Sequence, residues 1–276
     1  MEKGLILEVK KKKEFSGLPD SIVVRALEKS RGDVKIARSW LRKYFGVFLT
    51  NRVLRGKGDL LKVHLSSKKR DYEEFYFKIF NSIFPQKSKE SSTHLSSCGG
   101  LKSKESGNKI ESIVDLGCGV NGFSYEYLKD VFGTQNRHDS GEPDVRYVGM
   151  EAAGQLVEQM NGFFKERGFD ALAIKGDLFD LESVEDILKR ARKDRVVFLF
   201  QVIDALESVE RNFSKKLISV VMENCEWLVI SLPLVSLGGR KRFDVDRKWL
   251  VDWLGERFGI RDDFEMFGER VICVRK

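Results

Sequence analysis

The clearest chemical pattern in the sequence is a glycine-rich turn after a short apolar run, VDLGCG at 114–119. In an open α/β sheet, a turn of this kind at the carboxyl end of a strand approaches a ligand. Glycine permits a tight turn and a close approach of the backbone, because it has no side chain. Gly117, Gly119 and Gly122 also match the dinucleotide fingerprint. The glycines alone therefore do not distinguish a nicotinamide cofactor from S-adenosylmethionine (SAM).

Acidic residues at three successive strand ends favour SAM. Asp115 precedes the first glycine, where a carboxylate can bind the amino-acid end of SAM directly or through water. Glu151 ends the second predicted strand and can accept hydrogen bonds from both ribose hydroxyls. Asp177 follows the third strand and can accept the adenine amino group, with Leu178 against the ring. One acidic residue at a strand end is often only a helix cap, but the ordered set predicts a SAM site.

Alternating strands and helices must position these groups. From residue 111 onward, continuous apolar runs alternate with segments of helical spacing, as expected for strands covered on both faces of a sheet. Helices are predicted near 123–132, 153–167, 183–192, 208–223 and 246–258. The last two strands, near 261–267 and 269–275, are joined by a tight Phe267-Gly268 turn and pair as a hairpin. Five parallel strands and this antiparallel hairpin predict a class I SAM-dependent methyltransferase domain, a Rossmann-like α/β fold with a seven-stranded sheet.

The residues before this domain predict a small helical domain over 1–84. Segments 21–31, 33–45 and 70–84 have apolar residues at helical spacing. In the third segment, six residues at helical spacing are expected to pack as core rather than to stack on bases: Tyr72, Phe75, Tyr76, Ile79, Phe80 and Ile83. Residues 85–109 are rich in Ser, Lys and Gly and predict a flexible linker. The SAM-binding domain is then expected over 110–276.

Charge is distributed unevenly between the two parts of the chain. Residues 1–110 hold 25 Lys and Arg against 12 Asp and Glu, a net charge of +13, whereas residues 111–276 hold 24 against 30, a net charge of −6. A basic segment joined to a mildly acidic one indicates a polyanionic partner for the first part. The alternative is a solvated, charged face without a partner.

Other classes of protein are disfavoured by composition. The four cysteines and three histidines are scattered and form no CxxC pair, so no metal site is expected and the thiols are expected to be free in a reducing cytoplasm. A membrane span needs roughly eighteen consecutive apolar residues, which the sequence lacks. The N-terminus does not have the pattern of a secretory signal. We therefore expect a cytoplasmic protein.

Four stretches of the sequence resemble the 16S rRNA methyltransferases of the aminoglycoside-resistance (Arm/Rmt) type, or a housekeeping relative of them. They are ARSWLRKYFGVFL (37–49), HLSSKKRDYEEFYFKIF (64–80), DLGCGVNGF (115–123) and SLPLVSLGGR (231–240). The last is the most specific, because the SLGGR continuation after a proline-containing strand end is not general among methyltransferases. The resemblance extends over nearly the whole chain, apart from the extreme N-terminus and the linker.

The resemblance implies roles for three sets of residues. SAM would be held by Asp115, Gly117, Cys118, Gly119, Glu151, Asp177, Leu178 and Gln201. The entering base would be received by a pocket at Ser231, Leu232, Pro233 and Gln201. RNA phosphates would be contacted by Arg38, Arg42, Lys43, Lys68, Lys69, Arg70, Arg240, Lys241 and Arg242. No general acid or base is assigned, since methyl transfer mostly needs collinear placement of the reacting atoms.

The expected activity is methylation of a base nitrogen of small-subunit rRNA near the decoding region, by a monomer that acts on 16S rRNA or on the 30S subunit. Known members of the family methylate guanine N7, but SLPL at 231–234 also resembles the [DNS]-P-P-[YF] motif of enzymes that methylate exocyclic amines such as cytosine N4. The long polar linker and Gln201 depart from the family pattern and leave the target base open. The alternatives are a tRNA or small-molecule methyltransferase and a catalytically silent RNA-binding or ribosome-assembly factor.

Overall fold

Seven strands form one sheet in the computed structural model of the chain, which describes residues 2–46, 51–56, 59–64, 68–84, 110–135, 145–234 and 247–276. The strands are β1 (Ser112–Leu116), β2 (Arg146–Glu151), β3 (Ala171–Lys175), β4 (Arg195–Phe200), β5 (Trp227–Pro233), β6 (Gly259–Met266) and β7 (Glu269–Arg275). Their order across the sheet is β3-β2-β1-β4-β5-β7-β6. The first five strands are parallel, and β7 is antiparallel to both β5 and β6. This arrangement confirms the predicted fold class.

Helices cover both faces of the sheet. The N-terminal helices are α1 (Glu2–Lys10), α2 (Asp20–Lys29), α3 (Val34–Leu41), α4 (Asn51–Leu54), α5 (Leu60–Val63) and α6 (Tyr72–Ile83). The later helices are α7 (Tyr125–Gln135), α8 (Gly154–Arg167), α9 (Leu181–Arg190), α10 (Ile203–Val209), α11 (Phe213–Asn224) and α12 (Lys248–Arg257). Successive strand residues point to opposite faces. In β1, for example, Ile113 packs in the layer of the N-terminal helices and Val114 packs in the layer of α9–α12.

Aspartate caps set where several N-terminal helices begin. The carboxylate of Asp33 accepts a hydrogen bond from the Ile36 N–H at the start of α3, and that of Asp71 accepts one from the Glu74 N–H at the start of α6. The predicted helical segments at 21–31, 33–45 and 70–84 correspond to α2, to α3 with the π-helix at Arg42–Gly46, and to α6. These three predictions are confirmed.

The aromatic residues of α6 pack against the sheet. Phe75 and Tyr76 are fully buried, and their rings lie 5.5 Å from the Phe200 ring and 6.3 Å from the Phe198 ring, respectively. The expectation that these aromatics form core is therefore confirmed, and truncation of such a ring costs about 3–5 kcal/mol. Buried residues of α2, such as Ile22, belong to the same apolar cluster. The N-terminal helices thus share a core with one face of the sheet.

Two turns in the α/β part test the sequence predictions: the break between α10 and α11, and the turn between β6 and β7. The helix predicted near 208–223 corresponds to α11, which begins later than expected, and the preceding helix α10 was not predicted; Asn212, with a φ of +64°, separates the two. The Glu207 carboxylate accepts hydrogen bonds from the N–H groups of Asn212 (2.7 Å) and Ser214 (3.0 Å), so it caps the new helix. The predicted hairpin turn is confirmed, since Phe267 and Gly268 both have positive φ, as a tight two-residue turn requires.

The predicted linker at 85–109 lies outside the residues that the structure describes. No helix among the residues that the structure describes is long and apolar enough to cross a bilayer.

Candidate functional site

The glycine-rich turn after β1 forms the floor of a cavity at the carboxyl ends of the parallel strands. The N–H groups of Gly117 and Cys118 donate to the Met150 carbonyl, at 2.8 and 3.0 Å. Gly117 has a φ of +76°, and a Cβ added there would lie 2.5 Å from Cγ1 of Val202. A side chain at this position would therefore be strained and would collide with a cavity-lining residue. These contacts and the positive φ explain why glycine is required at position 117, as the sequence predicted.

The cavity has walls from both parts of the chain. Its wall residues from the α/β part include Gly117, Cys118, Gly119, Asn121, Glu151, Asp177, Leu178, Phe179, Phe200, Gln201 and Val202. Its wall residues from the N-terminal segment are Ile22, Tyr44, Phe45, His64 and Arg70. Seven of the eight residues predicted to hold SAM line this one cavity; the eighth, Asp115, is buried below it.

Backbone amides hold the Glu151 carboxylate. Oε2 accepts a hydrogen bond from the Gly119 N–H at 2.9 Å, and Oε1 accepts one from the Ala153 N–H at 2.8 Å. Burial raises the pKa of Glu151 above its ordinary value, although these backbone hydrogen bonds act in the opposite direction. Each oxygen can accept a further hydrogen bond, because a carboxylate oxygen has two lone pairs. The group is fixed and can accept from a pair of hydroxyls.

The Asp177 carboxylate is held from two sides. Its Oδ1 accepts a hydrogen bond from the Phe179 N–H at 3.0 Å, which is a local turn contact. Its Oδ2 accepts one from the Ser21 hydroxyl at 2.8 Å, and Ser21 lies in the first turn of α2. The N-terminal helices therefore help to orient a carboxylate that the sequence assigned to the α/β part alone. Leu178 follows Asp177 into the cavity wall.

Asp115 lies in a buried polar network. Its Oδ2 accepts hydrogen bonds from the Asn121 side-chain amide at 2.7 Å and from the Tyr147 hydroxyl at 2.9 Å. Its Oδ1 is also buried and has no hydrogen-bond partner among the described residues. Burial raises the pKa of Asp115 to about 6, against the effect of these two hydrogen bonds. Asn121 separates this carboxylate from the cavity, so any contact of Asp115 with a ligand is more indirect than that of Glu151 or Asp177.

Arg70 is buried at the cavity, and its expected role at an RNA-facing surface is wrong. Its side chain is 3% exposed, as is that of Glu269, and its Nε and Nη2 donate to the two Glu269 oxygens at 2.7 Å each. Its Nη1 donates to Oδ1 of Asn121 at 3.3 Å. The guanidinium lies 4.6 Å from the Phe75 ring centroid and 5.0 Å from that of Phe200. Such a group is fixed inside the protein and is not available to a phosphate outside it.

His64 is the neighbour of Arg70 in the N-terminal wall. Its ring lies against Gly119, because a Cβ added to Gly119 would be 3.6 Å from Cε1 of the imidazole. Burial, with the nearby charge of Arg70, lowers the pKa of His64 to about 4. The imidazole is therefore neutral at neutral pH. The sequence contained no specific signal for this residue.

The predicted base pocket is only partly formed by the residues proposed for it. Gln201 lines the cavity with a φ of +56°, and its N–H donates to the Ser231 carbonyl at 2.9 Å. The expectation for Ser231 and Leu232 is wrong in its geometry, because both are fully buried within β5. The Ser231 hydroxyl donates to Oε2 of Glu269 at 2.6 Å. Pro233 ends the strand half-buried and is not among the residues that line the cavity.

The other basic residues predicted to contact RNA differ in their availability. Arg38 bonds the carbonyls of Glu8 and Val9 and pairs with the Glu8 carboxylate, so it joins α1 to α3. Arg42 pairs with Glu14 at 2.7 Å but remains half exposed. Lys43 lies 5.2 Å from the Tyr44 ring centroid. Lys68 and Lys69 are exposed. Arg240, Lys241 and Arg242 lie outside the described residues.

Sequence reasoning missed Ser21, His64, Asn121 and Glu269. Only Glu269 had a usable signal: it begins a strand in which Val271 and Cys273 face the same apolar layer. A charged residue in such an inward-facing row predicts a buried partner. No group of three or more potential metal ligands occurs among the residues that the structure describes.

Solved structures match this arrangement along the whole chain. No protein-family model matches the sequence, and no curated protein matches it. The 16S rRNA methyltransferase RmtF, solved with S-adenosyl-L-homocysteine, aligns with a TM-score of 0.69 and 18% identity over 100% of this chain and 98% of that chain. This chain has the fold of the 16S rRNA methylases.

Two further structures support this assignment of the fold. The 16S rRNA methylase RmtB aligns with a TM-score of 0.65 and 16% identity, over 100% of this chain and 98% of that chain. An rRNA methylase from Escherichia coli aligns with a TM-score of 0.66 and 16% identity, over all of both chains. The Arm/Rmt resemblance is thus confirmed at the level of the fold, including the N-terminal helices.

Proposed function

We propose that this protein is a SAM-dependent methyltransferase that modifies a base nitrogen of small-subunit ribosomal RNA. The main support is that Glu151 and Asp177, at successive strand ends, face one cavity beside the Gly117 turn. The second support is the fold shared over full length with RmtF, a protein whose structure contains S-adenosyl-L-homocysteine. Carboxylates at successive strand ends can accept hydrogen bonds from the ribose hydroxyls and the adenine amino group of an adenosine.

The residues of the cavity fit each part of SAM. The free lone pairs of Glu151 suit the ribose hydroxyls, and Asp177 suits the adenine amino group. Three of the five N–H groups of Arg70 donate to Glu269 and Asn121, and the other two have no partner among the described residues. Those two N–H groups suit the carboxylate of the methionine end. When bound, SAM supplies a methyl group on a positively charged sulfur.

The task of the protein is to hold the accepting nitrogen in line with that methyl group, because orientation alone can supply most of the rate. Guanine N7 has an in-plane lone pair and no proton to lose, so it needs no base. An exocyclic amine would instead need an acceptor for its N–H bonds. In the described part of the chain, Ser231, Leu232 and Pro233 do not line the cavity, so the SLPL segment presents no such acceptor there. Among the described residues, this favours guanine N7 over cytosine N4.

Binding of RNA is proposed to depend on the basic N-terminal segment. Residues 1–110 carry a net charge of +13, and exposed lysines such as Lys68 and Lys69 can contact phosphates. Arg70 and Arg38 instead form ion pairs within the protein. A base within structured RNA must leave its stack to enter a cavity, at a cost of a few kcal/mol. Phosphate contacts can offset this cost and would make binding depend strongly on salt.

A transfer assay tests the proposal. Labelled methyl groups from SAM would be followed into 30S subunits, protein-free 16S rRNA and tRNA, and the modified nucleoside would be identified by mass spectrometry. We expect label in small-subunit RNA as 7-methylguanosine. N4-methylcytidine would change the base, and label only in tRNA would change the substrate. Failure to bind S-adenosyl-L-homocysteine in calorimetry would instead favour a silent RNA-binding factor.

A further inference from the structure

Glu269 joins three distant parts of the chain beside the cavity. It is the first residue of β7, and its carboxylate accepts two hydrogen bonds from Arg70, 199 residues earlier, and one from the Ser231 hydroxyl in β5. A charged side chain that is only 3% exposed is costly to bury unless it is paired and hydrogen-bonded. Both conditions are met here.

The position of Arg70 depends on this contact. The rings of Phe75 and Phe200 leave the guanidinium little freedom out of its plane, and the paired hydrogen bonds to Glu269 fix its rotation within the plane. Without Glu269, Arg70 would keep only its hydrogen bond to Asn121, at 3.3 Å, among the described residues. Burial alone disfavours the charged guanidinium, but Glu269 outweighs it and raises the pKa of Arg70 above its ordinary value.

We propose that Glu269 is a positioning residue, which holds Arg70 in the cavity wall so that its guanidinium can bind the carboxylate of the cofactor's methionine end. The proposal rests on the function proposed above. It separates the two ends of the cofactor site: the adenosine end depends on Glu151 and Asp177, and the methionine end depends on the Arg70–Glu269 pair. Glu269 itself does not line the cavity and acts through Arg70.

Two ligands that differ only at the methionine end test this separation. S-adenosyl-L-homocysteine has the amino-acid group, and 5′-methylthioadenosine lacks it. In Glu269→Gln, the amide keeps one acceptor but presents N–H groups to one arm of Arg70, so the guanidinium is no longer held in place. We expect calorimetry to show an affinity for S-adenosyl-L-homocysteine lower by about tenfold or more, with that for 5′-methylthioadenosine within about twofold of the unaltered protein.

The outcomes separate a positioning role from a purely structural one. An equal loss of affinity for both ligands, or no loss for either, would overturn the proposal and leave the proposed function standing. Absence of binding of both ligands to the unaltered protein would refute the cofactor assignment instead. Glu265→Gln, at an exposed position of β6, is the matched control and should change neither affinity.

Ser231→Ala keeps the test open if Glu269→Gln does not fold. This change removes only the hydroxyl that donates to Glu269 and leaves the ion pair with Arg70 in place. We expect a smaller loss, about threefold, for S-adenosyl-L-homocysteine alone. A loss that is equal for 5′-methylthioadenosine would again overturn the proposal, and so would an unchanged affinity for both ligands.

Discussion

The two walls of the cavity are stabilised in different ways. The sheet wall, formed by Gly117, Glu151 and Asp177, is held mainly by backbone N–H groups of the strand-end turns, with one side-chain hydrogen bond from Ser21 to Asp177. In the helical wall, which includes His64 and Arg70, the Arg70 side chain is held by a side chain from a distant segment, that of Glu269. A backbone turn is formed by residues that are close in sequence. A side-chain pair between distant segments forms only when the tertiary fold brings those segments together. We therefore expect a substitution in the sheet wall to have mainly local effects. A substitution in the Arg70–Glu269 pair should also affect its distant partner.

The strongest test of this difference is Arg70→Met. It leaves the Glu269 carboxylate buried with the Ser231 hydroxyl as its remaining donor, and we expect a loss of about 3–5 kcal/mol in the free energy of unfolding, measured with urea. Arg70→Met combined with Glu269→Leu should recover most of that loss without restoring affinity for S-adenosyl-L-homocysteine. If the double variant unfolds as easily as the single one, the pair is not the source of the instability.

Two buried groups at the cavity, Asp115 beneath it and His64 in its helical wall, should respond oppositely to pH. The raised pKa of Asp115, about 6, makes its contribution to stability greatest below the unfolded value near 3.8, and that contribution is lost as pH rises through 6. The lowered pKa of His64, about 4, makes its contribution fully present above 6.5, and that contribution is lost as pH falls toward 4. Each effect is on the order of 3 kcal/mol.

Urea unfolding of Asp115→Asn and His64→Gln between pH 4 and pH 8 separates these two effects. The stability of Asp115→Asn relative to the unaltered protein should rise with pH, because the amide cannot ionise. The relative stability of His64→Gln should rise as the solution is acidified. Parallel pH profiles for the two variants and the unaltered protein would contradict both assignments.

Asp177→Ala examines the sheet wall and also removes the acceptor of the Ser21 hydroxyl in α2. Since this carboxylate is proposed to bind adenine, the affinities for S-adenosyl-L-homocysteine and 5′-methylthioadenosine should fall together, by about 1.5–3 kcal/mol, while RNA binding stays nearly intact. This pattern contrasts with the selective loss expected for Glu269→Gln. Asp186→Ala, at an exposed position in α9, is the control. An equal loss of RNA binding would show that the change acts on the fold.

The smallest expected effect concerns two exposed lysines of the N-terminal segment, Lys68 and Lys69. Replacing Lys68 and Lys69 by Gln should weaken RNA binding and lower the slope of log affinity against log salt by about 1.4–1.8, as for two lost phosphate contacts. Lys189→Gln with Lys193→Gln removes the same charge from the acidic part of the chain and should leave the slope unchanged. Equal slopes for both pairs would remove Lys68 and Lys69 from the interface.

Much of the sheet wall was predictable from the sequence. Apolar runs ending in VDLGCG, Glu151 and Asp177 indicate strands, and parallel strands place their carboxyl ends at one edge. The roles of Arg70 and Ser231 were not predictable in this way. Arg70 follows two lysines in KKR and resembles them in sequence, yet it alone turns inward. Sequence spacing does not specify which of several adjacent basic side chains meets a carboxylate from another strand.

The sequence by itself therefore determined the order of strands and helices, the glycine turn, and the carboxylates that end β2 and β3, because these follow from local periodicity and from the conformational freedom of glycine. Only the tertiary structure decided that Ser21 contacts Asp177, that His64 lies against Gly119, and that Glu269 holds Arg70. The physical reason is that a buried charge or hydroxyl is satisfied by whichever partner the packed fold brings within hydrogen-bond distance, and that partner has no fixed separation along the chain.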